Sequence, residues 1–284
     1  MSQRSGVSTV DATAATVSGA RLVDVDTLQA TGRQHRQDRV VIEEPLEIRI
    51  GSVGQPPQPL TVTMRTPGAD LDLALGFLHG EGLIRSATEL HALDRSDERV
   101  LQLEWLRTPP VISGAQRQFM ATSSCGVCGK RSIEDIDAMR VVPRVAGAAV
   151  VRREVLAQLP AMLRASQGLF QSTGGLHAVG LFSLEGRLLA IHEDVGRHNA
   201  MDKLVGAALR REDLPLAASM VLLSGRASFE LLQKAAMAGI PIVAAIGAPS
   251  TLAIEIAQSA GQTLVGFLRA DSLNVYCGAE RVLA

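Results

Sequence analysis

Aromatic side chains are scarce, with six Phe, one Tyr and one Trp, or 3% of the 284 residues. A core built on stacked rings is therefore excluded. The 46% of hydrophobic residues must fill the interior mainly with Leu, Val, Ile and Ala, a composition that suits helices packed on an aliphatic sheet. Cysteine is also rare. Three thiols, an odd number, do not make a disulfide framework. Neither charge sign is in excess. Lys and Arg number 28 against 29 Asp and Glu, so no global basic field advertises nucleic acid, and an anionic ligand must be held by a local site. No run reaches the roughly 18 apolar residues of a membrane helix. The segment from Met1 to Ala20 lacks the apolar centre of a signal peptide. The expected compartment is the cytoplasm. No internal repeat is found.

Length allows one large domain or two modest ones. Residues 1–37 are small, polar and then charged, and are expected to be disordered. A small α+β subdomain is expected over 38–118. Its β-rich runs Arg39–Ile50 and Leu60–Arg65 flank the Gly/Pro/Gln loop Gly51–Pro59. A helix is expected to start at Pro67-Gly68-Ala69-Asp70, with Leu71, Ala74, Leu75 and Leu78 on one face. Val100–Leu106 reads as a further strand.

Residues 119–284 read as an α/β domain, preceded by a loop over 119–131 that contains Cys125-Gly126-Val127-Cys128. Val155, Leu156, Leu159, Met162 and Leu163 mark a helix, which Pro160 is expected to kink or to open. Leu176–Ser183 and Leu188–Ile191 form a hairpin around Glu185-Gly186. A helix follows, with Met201, Leu204, Val205, Ala208 and Leu209 on one face. Strands Ser219–Leu223, Ile240–Ile246 and Thr263–Leu268 then alternate with helices Ser228–Ala238 and Ser250–Ala260. Continuous apolar strands alternating with helices imply a mixed, mainly parallel sheet covered on both faces, with the hairpin as an antiparallel edge.

Ligands of such sheets gather beyond the carboxyl ends of the strands. Three strand-to-helix turns meet that description. The first is His192–Asn199, with Gly196, Arg197, His198 and Asn199. The second carries Ser224, Gly225, Arg226 and Ser228, and the third Pro249 and Ser250. Helix N-termini favour phosphate, and Arg197 and Arg226 add forked donors. For one turn alone, Ser and Asn are ordinary caps; three turns on one edge favour a site. His177, His79 and His91 have no partner pattern. Asp202 and Lys203, one turn into a helix, read equally as surface charges or as ligands.

The Cys125/Cys128 pair leaves several readings open. It suits half of a zinc site, completed by Cys277 and a His. It suits a thiol–disulfide centre. One thiolate can instead carry a persulfide, with Lys130 and Arg131 raising its thiolate fraction, or the pair can be inert. Spacing alone does not decide. A zinc deaminase would place H-x-E before P-C-x-x-C. Here the cysteines come first, no Pro precedes them, and His192-Glu193 lacks the spacer.

At these residues the chain closely resembles the formate dehydrogenase accessory sulfurtransferase family (FdhD family). The segments that carry the resemblance are TSSCGVCGK at Thr122–Lys130, TGGLH at Thr173–His177, EDVGRHNAMDK at Glu193–Lys203 and the run Ser224–Pro249. Gly261–Arg269 and Asn274-Val275-Tyr276 complete the set, and the likeness runs from about residue 40 to the end. It implies a cytidine-deaminase-like α/β part and a homodimer. It implies that sulfur from a cysteine desulfurase is carried as a persulfide on Cys125, assisted by Cys128. The acceptor would be the molybdenum or tungsten of a bis(molybdopterin guanine dinucleotide) cofactor destined for formate dehydrogenase. The family's cofactor-binding stretch corresponds to Phe267, Leu268, Arg269, Ala270, Asp271 and Ser272. No metal of the protein's own is implied. The competing expectations are a cofactor-binding chaperone that moves no sulfur and a zinc-dependent deaminase-like enzyme.

Overall fold

A computed structural model describes residues 19–93, 97–106, 142–145 and 149–284. The first element is a ribbon of β1 (Ala20–Gln29) and β2 (Gly32–Val41), paired antiparallel from Ala20↔Val41 to Gln29↔Gly32. This corrects the expectation of disorder for 20–37. The segment is polar enough to resemble a disordered tail, yet Val23, Asp24, Val25, Asp26 and Thr27 mix β-branched and polar residues, as a solvated strand does. The run expected over Arg39–Ile50 is divided. β2 ends at Val41, and β3 (Glu44–Ser52) belongs to another sheet.

β3 pairs antiparallel with β4 (Gln58–Arg65). Helix α1 (Asp70–Gly80) starts where the Pro-Gly signal places it. β5 (Leu90–Ala92) and β6 (Val100–Trp105) complete a four-stranded sheet of order β4-β3-β6-β5, with β6 parallel to β3. Its inner face contributes Leu46, Ile48, Leu101, Leu103 and Trp105 to a core shared with α1.

β7 (Val151–Arg152) leads into α2 (Arg153–Ser166). Pro160 falls inside α2, not at its start. A short helix α3 (Gly168–Thr173) follows. Then come β8 (His177–Ser183), β9 (Leu188–Asp194) and α4 (Arg197–Arg210). β9 extends three residues past the expected Ile191. His192, Glu193 and Asp194 are therefore strand residues, and Val195-Gly196 alone connects β9 to α4. The remaining elements are β10 (Ser219–Leu223), α5 (Phe229–Met237), β11 (Ile242–Ala245), α6 (Thr251–Ala260), β12 (Thr263–Gly266), β13 (Asn274–Cys277) and β14 (Val282–Leu283).

The large sheet has the order β13-β12-β11-β10-β8-β9. β10, β11 and β12 are parallel neighbours, whereas β8–β9, β8–β10 and β12–β13 pair antiparallel. The sheet is mixed, as expected, but parallel only at its centre. The antiparallel strand β13 is short and half-exposed and gives little hydrophobic signal. One face packs Val179, Leu181, Val221 and Val243 against α4, α5 and α6. The other packs Phe182, Met220, Leu222, Ile242 and Ala244 against Leu156, Leu159 and Leu163 of α2. Burial on both faces explains the unbroken apolar runs of β10 to β12.

The two sheets are joined where α1 crosses α4. A Cβ on Gly76 would lie 1.9 Å from the Asp202 carbonyl oxygen, and one on Gly206 would lie 1.8 Å from that of Asp72. The two backbones touch there, and only glycine fits on either side.

Candidate functional site

β9 runs parallel to β10, β11 and β12, so the carboxyl ends of all four strands open on one edge of the sheet. Main-chain hydrogen bonds join the loops on that edge. Ser224 N donates to Ala178 O at 3.0 Å, and Gly247 N to Gly225 O at 2.8 Å. Ala227 N donates to Ala248 O and Ser250 N to Ala227 O, both at 3.1 Å. Phe267 N reaches Gly247 O, also at 3.1 Å. A Cβ on Gly247 would sit 2.9 Å from Gly225 O and 3.0 Å from Arg226 N. This approach of two turns therefore requires glycine.

The first turn divides its residues between clamp and surface. Asp194 is 0% exposed and accepts from Gly196 N (2.8 Å), Asn199 Nδ2 (3.0 Å), Thr66 N (3.1 Å) and Lys203 Nζ (2.7 Å). Lys203 Nζ also donates to Thr66 O at 2.8 Å. Asn199 donates to Met64 O at 2.7 Å and accepts from Thr63 Oγ1 at 3.2 Å. Asp194, Asn199 and Lys203 thus fasten the large sheet to the end of β4. Lys203 and Asp202 are buried; the reading of both as surface charges is corrected. Asp202 is ion-paired to Lys234. A strand-end carboxylate that gathers several N–H donors resembles a ligand site in sequence, and the three-dimensional partner, Thr66, lies 128 residues away.

Of that turn, Arg197 is half-buried. Its guanidinium has no hydrogen bond or ion pair among the described residues, and Arg226 on the second turn is exposed and likewise unpaired. His198 turns inward. Its Nε2 lies 2.8 Å from Glu230 Oε2 and 3.3 Å from Ser228 Oγ. Ser228 is the N-cap residue of α5, but its hydroxyl makes no cap bond and donates to Glu230 Oε2 at 3.3 Å. Ser224 Oγ accepts from Ala178 N at 2.8 Å. On the third turn Ser250 Oγ caps α6 by accepting from Ala253 N at 3.2 Å, and Pro249 bridges to Ala227. Phe267 is exposed at φ 51°. Leu268 is a core residue, 0% exposed. Arg269 is exposed, with Nη1 donating to Ile246 O and Leu268 O at 2.7 and 2.8 Å. Ala270, Asp271 and Ser272 are exposed. Asp271 O accepts from Arg153 Nη2 at 2.8 Å, and Ser272 O from Arg269 N at 2.8 Å. Cys125 and Cys128 lie outside the described residues.

His177, which has no partner pattern in sequence, joins this edge. It opens β8 opposite Asp194, and a Cβ on Gly225 would lie 3.5 Å from its Nδ1. Burial holds its imidazole below the ordinary range, and the neighbouring Arg197, His198 and Arg226 add to that effect against the opposing Asp194. On the α2 face of the same edge is a cavity of about 470 Å³. Its lining includes Arg164, Gln167, Phe170, His177 and Ser224. The Arg164 guanidinium stacks 4.7 Å from the Phe170 ring centroid. The segment TGGLH, which enters this cavity wall, is the signal that singles out His177. Glu193 is occupied elsewhere, accepting from Leu169 N and Phe170 N at 3.1 and 2.9 Å.

These features define an α/β protein whose strand ends present two arginines, Arg197 and Arg226, without partners among the described residues, on one edge of a mixed sheet. Residues 41–283 match the model of the FdhD/NarQ family, and the chain belongs to that family. It is 48% identical to the sulfur carrier protein FdhD of Nocardia farcinica, over 90% of this chain and 92% of that one. It is 40% identical to the protein of the same name from Sulfolobus acidocaldarius, over 92% and 98%. The crystal structure of a candidate formate dehydrogenase accessory protein from Desulfotalea psychrophila superposes with a TM-score of 0.72 at 25% identity, over 93% of this chain and 100% of that one. Among the described residues, no helix is long and apolar enough to cross a membrane.

Proposed function

We propose that this chain carries sulfur from a cysteine desulfurase to the bis(molybdopterin guanine dinucleotide) cofactor of a formate dehydrogenase in the cytoplasm, acting as a homodimer. The match to sulfur carriers along nearly the whole chain supports this reading. In the proposed reaction, the Cys125 thiolate attacks the outer sulfur of the donor's persulfide. The donor leaves as a thiolate, and Cys125 becomes the persulfide. The cofactor is the substrate, and its metal receives that outer sulfur either as sulfide, the two electrons coming from Cys125–Cys128 disulfide formation, or as sulfane sulfur that the metal itself reduces by two electrons while Cys125 leaves as a thiolate. Cys128 shields the persulfide, or attacks the Cys125 sulfur and releases sulfide with formation of a Cys125–Cys128 disulfide. Arg197, Arg226 and the N–H groups at the starts of α4, α5 and α6 hold the pyrophosphates. The same proposal takes the α/β part as cytidine-deaminase-like, a reading supported by the parallel centre β10–β12 covered on both faces.

Intact-protein mass spectrometry tests the carrier step. After incubation with a cysteine desulfurase and free cysteine, the parent chain should gain about one sulfur, roughly 32 Da, and Cys125→Ala should gain none. Binding without sulfur uptake would favour the chaperone reading. For the anion face, Arg197→Ala and Arg226→Ala should each weaken guanosine diphosphate binding on the order of ten-fold or more. A hydrogen bond to a charged group contributes about 1.5–3 kcal/mol, and about 1.4 kcal/mol is ten-fold. Calorimetric titration at fixed ionic strength reads the effect, and unchanged affinity in both variants would remove these arginines from the site.

A further inference from the structure

We infer that the small cavity among β4, α1, α4 and α5 is a binding site for one internal water molecule, which bridges Thr61 Oγ1 and Glu230 Oε1. The cavity measures about 30 Å³, and Thr61, Phe77, His198, Asp202, Glu230 and Gln233 are among its lining residues. A water needs about 10–15 Å³ of such space and two to four polar partners. Thr61 Oγ1 and Glu230 Oε1 are both buried with no hydrogen-bond partner among the described residues. Thr61 is 3% exposed and Glu230 4%. Two orphaned oxygens on one small cavity are uncommon, because buried polar groups almost always find partners.

Glu230 cannot satisfy itself by turning. Its Oε2 is held by His198 Nε2 at 2.8 Å and by Ser228 Oγ at 3.3 Å, which fixes the direction of Oε1. The Gln233 amide, also without a hydrogen bond among the described residues, is a third partner. One water then donates to Glu230 Oε1, accepts from the Thr61 hydroxyl and accepts from the Gln233 amide. A divalent cation does not fit, since it would take about six or more oxygens. The two basic side chains on the wall, Lys234 and His198, are already paired with Asp202 and Glu230. The water is the interior end of a hydrogen-bonded line through Glu230 to Ser228, on the second turn of the candidate site. It ties that turn to β4.

The test is a set of crystal structures of the full chain at a resolution that orders internal waters. Expected are a solvent peak within hydrogen-bond reach of both oxygens in the parent and in Thr61→Ser, and its loss in Thr61→Val. An empty cavity, a Glu230 Oε1 bonded to protein, or an anomalous peak after rubidium exchange would each overturn the inference. If Thr61→Val does not fold, the parent and Thr61→Ser structures decide alone.

Discussion

Gly76→Ala is expected to lower the melting temperature by roughly 6–12 °C, as is Gly206→Ala. The new methyl carbon would enter a space where a backbone oxygen of the facing helix lies 1.9 Å away at position 76 and 1.8 Å away at position 206. Neither neighbour is a side chain that can swing aside. α1 and α4 must move apart, and the movement opens the contacts of Leu73, Leu75 and Leu209 in the core they share. Overpacking of ordinary cores costs about 1–3 kcal/mol. A clash of backbone with backbone belongs at or above the upper end. For a chain of this size about 1 kcal/mol shifts the midpoint by roughly 2–4 °C. Gly168→Ala is the control, since a Cβ there meets nothing within 4 Å, and its midpoint should stay close to the parent's. Thermal unfolding followed by far-ultraviolet circular dichroism separates the cases, and melts that coincide for all three variants would show that the helices do not cross in contact.

Lys203→Met should cost about 3–5 kcal/mol, the range for removing one partner of a buried ion pair. The variant leaves Asp194, 0% exposed, without its cation. It also removes the donor to Thr66 O. Adding Asp194→Asn relieves the uncompensated charge, so the double variant should recover part of the loss. Recovery stays partial because both Asp194 oxygens are used as acceptors, Oδ1 by Gly196 N and Asn199 Nδ2, and Oδ2 by Thr66 N and Lys203. An amide offers one acceptor oxygen. Urea unfolding of the parent, both single variants and the double variant gives the coupling energy, and a coupling near zero would mean that the pair contributes nothing to the fit between the two sheets.

The parts of the fold that depend on local pattern were legible in the sequence. β10 reads from Ser219–Leu223 without error because both of its faces are buried and every residue is apolar or small. α1 reads from Pro67-Gly68 and a leucine stripe. The ribbon β1–β2 was not legible, because a strand wet on both faces has the composition of a loose tail. The gap between β2 and β3 at Ile42-Glu43 was missed because both strands are β-rich and only their partners differ. In the site, the three turns and their convergence on one edge followed from topology alone. The division of labour within them did not. Arg197, His198 and Asn199 are adjacent in sequence, yet the first has no partner among the described residues, the second pairs with Glu230 and the third clamps β4. Their partners lie 32 and 135 residues away in the chain, where no local pattern points.

The loops at the strand ends already hold one another through Gly225, Ala227, Gly247 and Phe267 main-chain bonds. Under the proposed reading, a phosphate that settled among them would order little that is free now, so the entropy usually lost when loops close on a ligand would be small here. Arg197 and Arg226, without partners among the described residues, would therefore act almost as separate fittings on a fixed frame. Under the proposed reading, exchanging the exposed Arg226 would change what the frame grips without changing its shape.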